Sequence, residues 1–262
     1  MQLLRSVLLP FKSHKYLLFQ LTQREIKARY KQSFVGYAWV LLNPLAQMLV
    51  YTFVFSVVFR FPTGNIPYPV FLFVALLPWT TFQLSLQAAT LSLVDNQVLL
   101  KKVRFPREII PYSVVISKMI DFCFASLVFL VLMIAYKVPF QSTALLFIPI
   151  FLVQTVLTSG LALLLSTFNL FYRDIQYVTN LVLLVWMYLT PIVYPLSLVP
   201  TEYVKLYKLN PMVGIVEGYR SALFGYPFEW TILLSSVLVS FVIFVVGYVV
   251  FKKSEKVFAD LV

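Results

Sequence analysis

The chain has 262 residues, of which 61% are hydrophobic and 12% charged, and it carries a formal net charge of +11. A soluble globular chain is about half apolar and about a quarter charged, so this composition excludes an ordinary water-soluble enzyme. With a single cysteine, Cys123, and a single histidine, His14, it also excludes an intrachain disulfide and leaves no metal cluster to build.

At the N-terminus, Arg5 and the apolar Val7-Leu8-Leu9 run into Pro10 and a charged stretch from Lys12 to Lys15. No small-residue cleavage site follows, which argues against a secretory signal peptide. From Lys15 onward the pattern changes. Leu17, Leu18, Leu21, Ile26 and Tyr30 recur at near-helical spacing among Gln20, Gln23, Arg24, Lys27 and Arg29, so residues 15–33 read as an amphipathic helix lying in the headgroup plane. The alternative is a basic flank that only sets topology, which requires no such order.

Six stretches are then long and apolar enough to cross a bilayer: Tyr37 to Phe59, Val70 to Val94, Tyr112 to Tyr136, Ala144 to Phe168, Tyr177 to Leu198 and Trp230 to Phe251. The chain is therefore expected to be an all-α integral membrane protein, residues 1–262 forming a single membrane domain. Asn43-Pro44 and Pro78-Trp79 place prolines inside the first two spans, where each removes a backbone hydrogen bond and should kink its helix. Residues 199–229, between the fifth and sixth spans, hold Pro200, Pro211, Gly214, Gly218, Gly225 and Pro227 and are too short and polar for two more crossings.

Orientation follows from the basic residues, which concentrate on the cytoplasmic side. With the N-terminus inside, that side collects Arg5, Lys12, Lys15, Arg24, Lys27, Arg29, Lys31, Lys101, Lys102, Arg104, Arg107, Arg173, Lys252, Lys253 and Lys256. The outer side receives Arg60, Lys137, Lys205, Lys208 and Arg220. The ratio, about three to one, predicts that both termini are cytoplasmic. The positive charge is thus a topology and membrane-surface signal; nucleic-acid binding would need a basic face on a soluble module.

Catalytic patterns are missing. No Gly-rich loop ending in Lys-Ser or Lys-Thr is present, nor a nucleophile elbow or a His-carboxylate cluster. A membrane-bound transferase is disfavoured on that ground, and any energy source must be a partner or an ion gradient. Ion coupling normally uses ionisable groups near mid-membrane. The candidates, Lys118 and Asp121, stand at i, i+3 and read better as a pair bonded to each other near the inner surface. Two loops suit a cytoplasmic partner: residues 95–111, with Lys101, Lys102, Arg104, Phe105, Arg107 and Glu108, and residues 169–176, centred on Tyr172-Arg173-Asp174. Arginine and aromatic residues together make good interface anchors, although purely topogenic loops would carry the same charges. Aromatic residues make up 17% of the chain, and a pore lined by such rings can stack on the C–H faces of sugars and pass a neutral polymer.

At this point a family resemblance emerges. The run Arg24-Glu25-Ile26-Lys27-Ala28-Arg29-Tyr30-Lys31-Gln32-Ser33, followed by Gly36, Trp39 and Asn43-Pro44-Leu45, resembles the opening of the ABC type-2 permeases that export lipid-linked O-antigen polysaccharide and teichoic acid. Leu77-Pro78-Trp79, Leu100 to Ile109, Phe171-Tyr172-Arg173-Asp174, Thr190 to Pro195 and Leu209-Asn210-Pro211 through Arg220 continue the likeness in order.

The resemblance implies a homodimer of six-span subunits in the bacterial cytoplasmic membrane, joined to two copies of a separate nucleotide-binding ATPase that holds the ATP and Mg. This chain itself would carry no cofactor. The ATPase stroke would reach Arg24, Lys27 and Arg29 of the interfacial helix, the residues named in the first loop, and Arg173 and Asp174. Residues 199–229 would be re-entrant helices forming an outer gate, with Tyr194, Asn210, Pro211, Gly214, Gly218, Tyr219 and Arg220 at the gate or channel. The implied cargo is a polyprenyl-diphosphate-linked polysaccharide, with teichoic acid, lipid or drug as the alternative. A polymer longer than the bilayer requires a continuous channel at the dimer interface. Arg24, Lys27 and Arg29, at headgroup depth, are expected to attract the lipid diphosphate through charge-assisted hydrogen bonds.

Overall fold

The computed structural model describes residues 14–258 except 32, 60, 62, 63 and 65. The signal-peptide reading, which rests on residues 5–15, lies almost wholly outside the described residues, as does Arg60. Among the described residues the chain is all-helical, without a strand.

Helix α1 (Lys15–Tyr30) is followed by α2 (Trp39–Thr52), which a short 3-10 turn, Gly36–Ala38, introduces and a π-helical segment, Phe53–Val58, extends. Next come α3 (Tyr68–Asp95), the short α4 (Gln97–Lys102) and α5 (Ile109–Ala135). Helix α6 (Phe147–Phe171) is led by a 3-10 turn, Ser142–Leu146, and α7 (Ile175–Tyr188) follows it closely. After α8 (Val204–Tyr207) and α9 (Pro211–Phe224), α10 (Trp230–Ser254) closes the chain with a final 3-10 turn, Glu255–Val257.

Five of these elements are long and apolar enough to cross a membrane: Gly36–Val58, Tyr68–Asp95, Ile109–Ala135, Ser142–Phe171 and Trp230–Val257. The fifth stretch expected from the sequence is shorter than its apolar run. Helix α7 stops at Tyr188 and has 14 residues, about 21 Å at 1.5 Å per residue against a hydrocarbon core of about 30 Å. The physical cause is Pro191, which lacks an N–H and would clash with the carbonyl four residues back, while Thr190 before it is pushed out of the helical region. Pro44 and Pro78, by contrast, are absorbed within continuous helices.

Helix α3 is the central post: 78% of its most apolar stretch is buried inside the protein, against 11% for the α2 span. It packs on α5, α6, α9 and α7, and α10 packs along α6. That last pairing depends on Gly160, where a Cβ would lie 2.5 Å from the Phe244 backbone; small residues let membrane helices approach this closely. Two apolar clusters result. The larger joins α3, α5, α6 and α9 around Phe73, Phe82, Phe122 and Tyr219. The smaller gathers Leu21, Leu93, Leu100, Ile109, Leu170, Phe251 and Phe258 where α1, α4 and the ends of α3, α5, α6 and α10 converge.

Candidate coupling surface and outer knot

The smaller cluster marks the basic end of the bundle. Lys101, Lys102 and Arg104, at the tip of α4 and just beyond it, are exposed, while Phe105 turns inward onto the cluster. A groove of about 570 Å³ runs along this tip, bounded by Leu100 to Arg107 together with Glu255 and Lys256. Arg173 and Asp174 are exposed at the same end, in the turn between α6 and α7.

Arg107 and Glu108 face the opposite way, into the protein. The carboxylate of Glu108 is buried, 1% exposed, and lies 2.7 Å from the ammonium of Lys252, which also reaches Glu255 at 3.0 Å. The backbone N–H of Arg107 donates to Glu255 Oε1 at 3.0 Å, and its guanidinium donates to the Glu255 carbonyl. These contacts tie the loop after α4 to the C-terminal turn of α10, a link that sequence reasoning missed because its partners lie 144 to 148 residues apart.

Helix α1 is tied down in the same manner. Leu17, Leu18 and Leu21 sit on the apolar cluster, as the helical spacing predicts, and two arginines clamp its C-terminal half. Arg24 donates to Asn96 Oδ1, at the junction of α3 and α4, and pairs with Glu25 at 3.2 Å. Arg29 forms an ion pair with Asp121 on α5 and donates to Ser117 Oγ at 2.7 Å. Asp121 also accepts the Tyr37 hydroxyl at 3.0 Å. The expectation that Lys118 and Asp121 pair with each other is therefore corrected: the carboxylate turns to Arg29, whose planar fork reaches it and Ser117 together. Of the three basic residues assigned to a lipid diphosphate, Arg24 and Arg29 have partners within the protein, Arg24 while remaining half exposed, and Lys27 is exposed.

The opposite end is organised around Arg220, 1% exposed on α9. The chain from Leu189 to Val193 has left the helix, so its carbonyls need other donors. Arg220 supplies them to Pro191 at 2.7 Å and Ile192 at 2.8 Å, pairs with Glu217 at 2.6 Å, and stacks 3.8 Å from the centre of the Phe71 ring. The Tyr68 hydroxyl donates to Val193 O at 2.7 Å and the Asn210 amide to Leu189 O at 3.1 Å. Tyr194 donates to Tyr188 O at 2.8 Å and meets the Tyr207 hydroxyl at 2.9 Å. Irregular backbone survives in a membrane protein only where protein or a wet cavity satisfies it, and here protein does so almost atom by atom.

Other residues assigned to the gate build this knot. Asn210 accepts from the Met212 N–H at 3.0 Å and from Trp186 Nε1 at 2.8 Å, capping α9 with the buried Pro211 in its first turn. Tyr219 donates to Gln154 Oε1 at 2.9 Å, and Gln154 donates in turn to Pro78 O at 3.0 Å. A Cβ on Gly214 would stand 2.7 Å from Ile232 O, so glycine is what lets α9 lie against α10, whereas at Gly218 it would meet the side-chain tips of Ile150 and Leu233 at 3.3 Å. Tyr219 and Arg220 are interior residues.

Residues 16–224 match the family described as ABC-2 type transporter. Among individual proteins, the chain is 39% identical over 211 residues to an O-antigen export system permease protein RfbA of Myxococcus xanthus, covering 79% of this chain and 80% of that one. A protein of the same name from Klebsiella pneumoniae is 30% identical over 246 residues, 94% of each chain. The polysialic acid transport protein KpsM of Escherichia coli is 23% identical over 252 residues, 94% of this chain and 96% of that one.

Proposed function

We propose, from the premise that this chain belongs to the ABC-2 type transporter family, that it is the membrane subunit of an ATP-driven exporter that carries polyprenyl-diphosphate-linked polysaccharide out of the cytoplasm. Its relatives are named for O-antigen export and polysialic acid transport, and its place is the inner membrane. The polymer class follows from them; the lipid diphosphate is our addition.

One observation carries the mechanism. The exposed basic tip, Lys101 to Arg104, is backed by charge links that bind α1, the loop after α4 and the end of α10 into one body. A push from a cytoplasmic ATPase on that tip would move these elements together. In this reading the basic end is cytoplasmic, α7 with the following chain forms the fifth of six crossings, and the Arg220 knot is the rigid outer gate. Two copies would meet across α2 and α7, whose exposed apolar faces include Leu49, Phe53, Leu181 and Val185, and each would receive one ATPase subunit holding ATP and Mg.

The test is co-purification with a nucleotide-binding subunit, followed by ATP hydrolysis measured with and without lipid-linked glycan. Glycan-stimulated hydrolysis, with surface polysaccharide lost on deleting the chain, is the expected result. Altered drug or lipid tolerance with polysaccharide intact would refute the glycan cargo.

A further inference from the structure

A groove of about 400 Å³ lies between α2, α3 and α5, separate from the coupling tip and from the outer knot. Its wall carries the amides of Asn43, Gln47 and Gln83, and Arg29, Lys118 and Asp121 border it. Asn43 and Gln47 are exposed on a helix that otherwise presents Leu42, Leu49, Val50 and Phe53. Polar side chains on a membrane-embedded face are costly unless something polar meets them.

The charges do not cancel. Arg24 pairs with Glu25 outside the groove, and within it Arg29 engages one oxygen of Asp121 while Tyr37 holds the other. Lys118 makes no ion pair or hydrogen bond among the described residues. Two cations against one carboxylate leave the groove one positive charge in surplus.

Depth suits a headgroup. Helix α5 has 27 residues, about 40 Å at 1.5 Å per residue, so a helix centred on a hydrocarbon core of about 30 Å would project about 5 Å at each side. Lys118 stands nine residues after Ile109, about 14 Å along the helix. In that placement its Cα lies about 9 Å inside the boundary, and a lysine stem extends most of that distance.

We infer that this groove holds the phosphate–sugar junction of the lipid-linked glycan, with the Lys118 ammonium against the phosphate and Asn43, Gln47 and Gln83 against hydroxyls of the first sugars. An ammonium is a point-charge partner for phosphate, and an amide both donates to and accepts from a hydroxyl. This assignment rests on the glycan-export reading and replaces Arg24 and Arg29 as the phosphate contacts, since both already have partners within the protein.

The permease with its ATPase partner, in discs of zwitterionic lipid, would be titrated with three probes: polyprenyl diphosphate, the same lipid bearing a disaccharide, and phosphatidylglycerol. Lys118→Gln should weaken both diphosphate ligands about tenfold, the scale of one lost charge-assisted contact, and Lys118→Arg should restore them. The pair Asn43→Leu and Gln83→Leu should weaken the disaccharide-bearing probe alone. Unchanged diphosphate binding in Lys118→Gln would overturn the assignment, and phosphatidylglycerol competing on equal terms would reduce the groove to a general anionic-lipid site. Export by the unaltered complex separates the two levels of the argument: failure there refutes the glycan function, whereas normal export with normal Lys118→Gln binding refutes only the groove.

Discussion

The two ends of the bundle are both rich in polar contacts but use them differently. At the basic end, charged side chains join helices that are remote in sequence: Arg29 to Asp121, Lys252 to Glu108, Arg107 to Glu255. Most of these groups keep some contact with solvent, so each link is modest alone, and together they make several surface elements one movable body. At the opposite end a fully buried arginine serves backbone carbonyls that have left the helix. The first arrangement suits the transmission of displacement that we propose; the second holds an irregular chain still.

The sharpest way to break that contrast is Arg220→Met, which strands the carbonyls of Pro191 and Ile192 and leaves Glu217 without its cation. A loss of about 3–5 kcal/mol is expected for a buried pair broken on one side, read as a large fall in thermal midpoint and yield; an unchanged midpoint would show that the knot is not built on this residue. Gly214→Val should cost about 1–3 kcal/mol through overpacking against Ile232 and Ser236, and a silent substitution would mean that α9 stands off from α10. At the basic end, Lys252→Met leaves the buried Glu108 without a cation, at a site whose outer edge is the partly exposed Lys252 itself. The expected loss is smaller, about 1–2 kcal/mol, with glycan-stimulated ATP hydrolysis falling further than stability does. Last in stability terms, Lys101→Ala with Arg104→Ala should leave the thermal midpoint unchanged and still weaken capture of the ATPase subunit; a shifted midpoint would place these side chains inside the fold instead of on its contact surface.

Much of the site was legible locally. The amphipathic face of Leu17, Leu18 and Leu21 and the exposed Lys101, Lys102 and Arg104 follow from spacing and residue type. Arg107 and Glu108 did not, because the same charges read equally well as outward anchors. Nothing near them in sequence indicates that Lys252 and Glu255 will arrive from the other end of the chain. Lys118 and Asp121 misled for a related reason: an i, i+3 spacing suggests a local pair, and a helix packed alongside offered a better one.

By itself, then, the sequence determined the solvent and the family: a chain this apolar must be lipid-embedded, and its long apolar runs must form helices because lipid offers no partner for free backbone groups. Only the tertiary structure decided which charges look outward and which are consumed within, and that the apolar run after Tyr177 breaks at Tyr188 with its loose carbonyls tied to Arg220. The physical reason is range. Helix formation and burial of apolar runs are governed by neighbours within a few residues, whereas an ion pair forms with whichever partner packing brings within 4 Å.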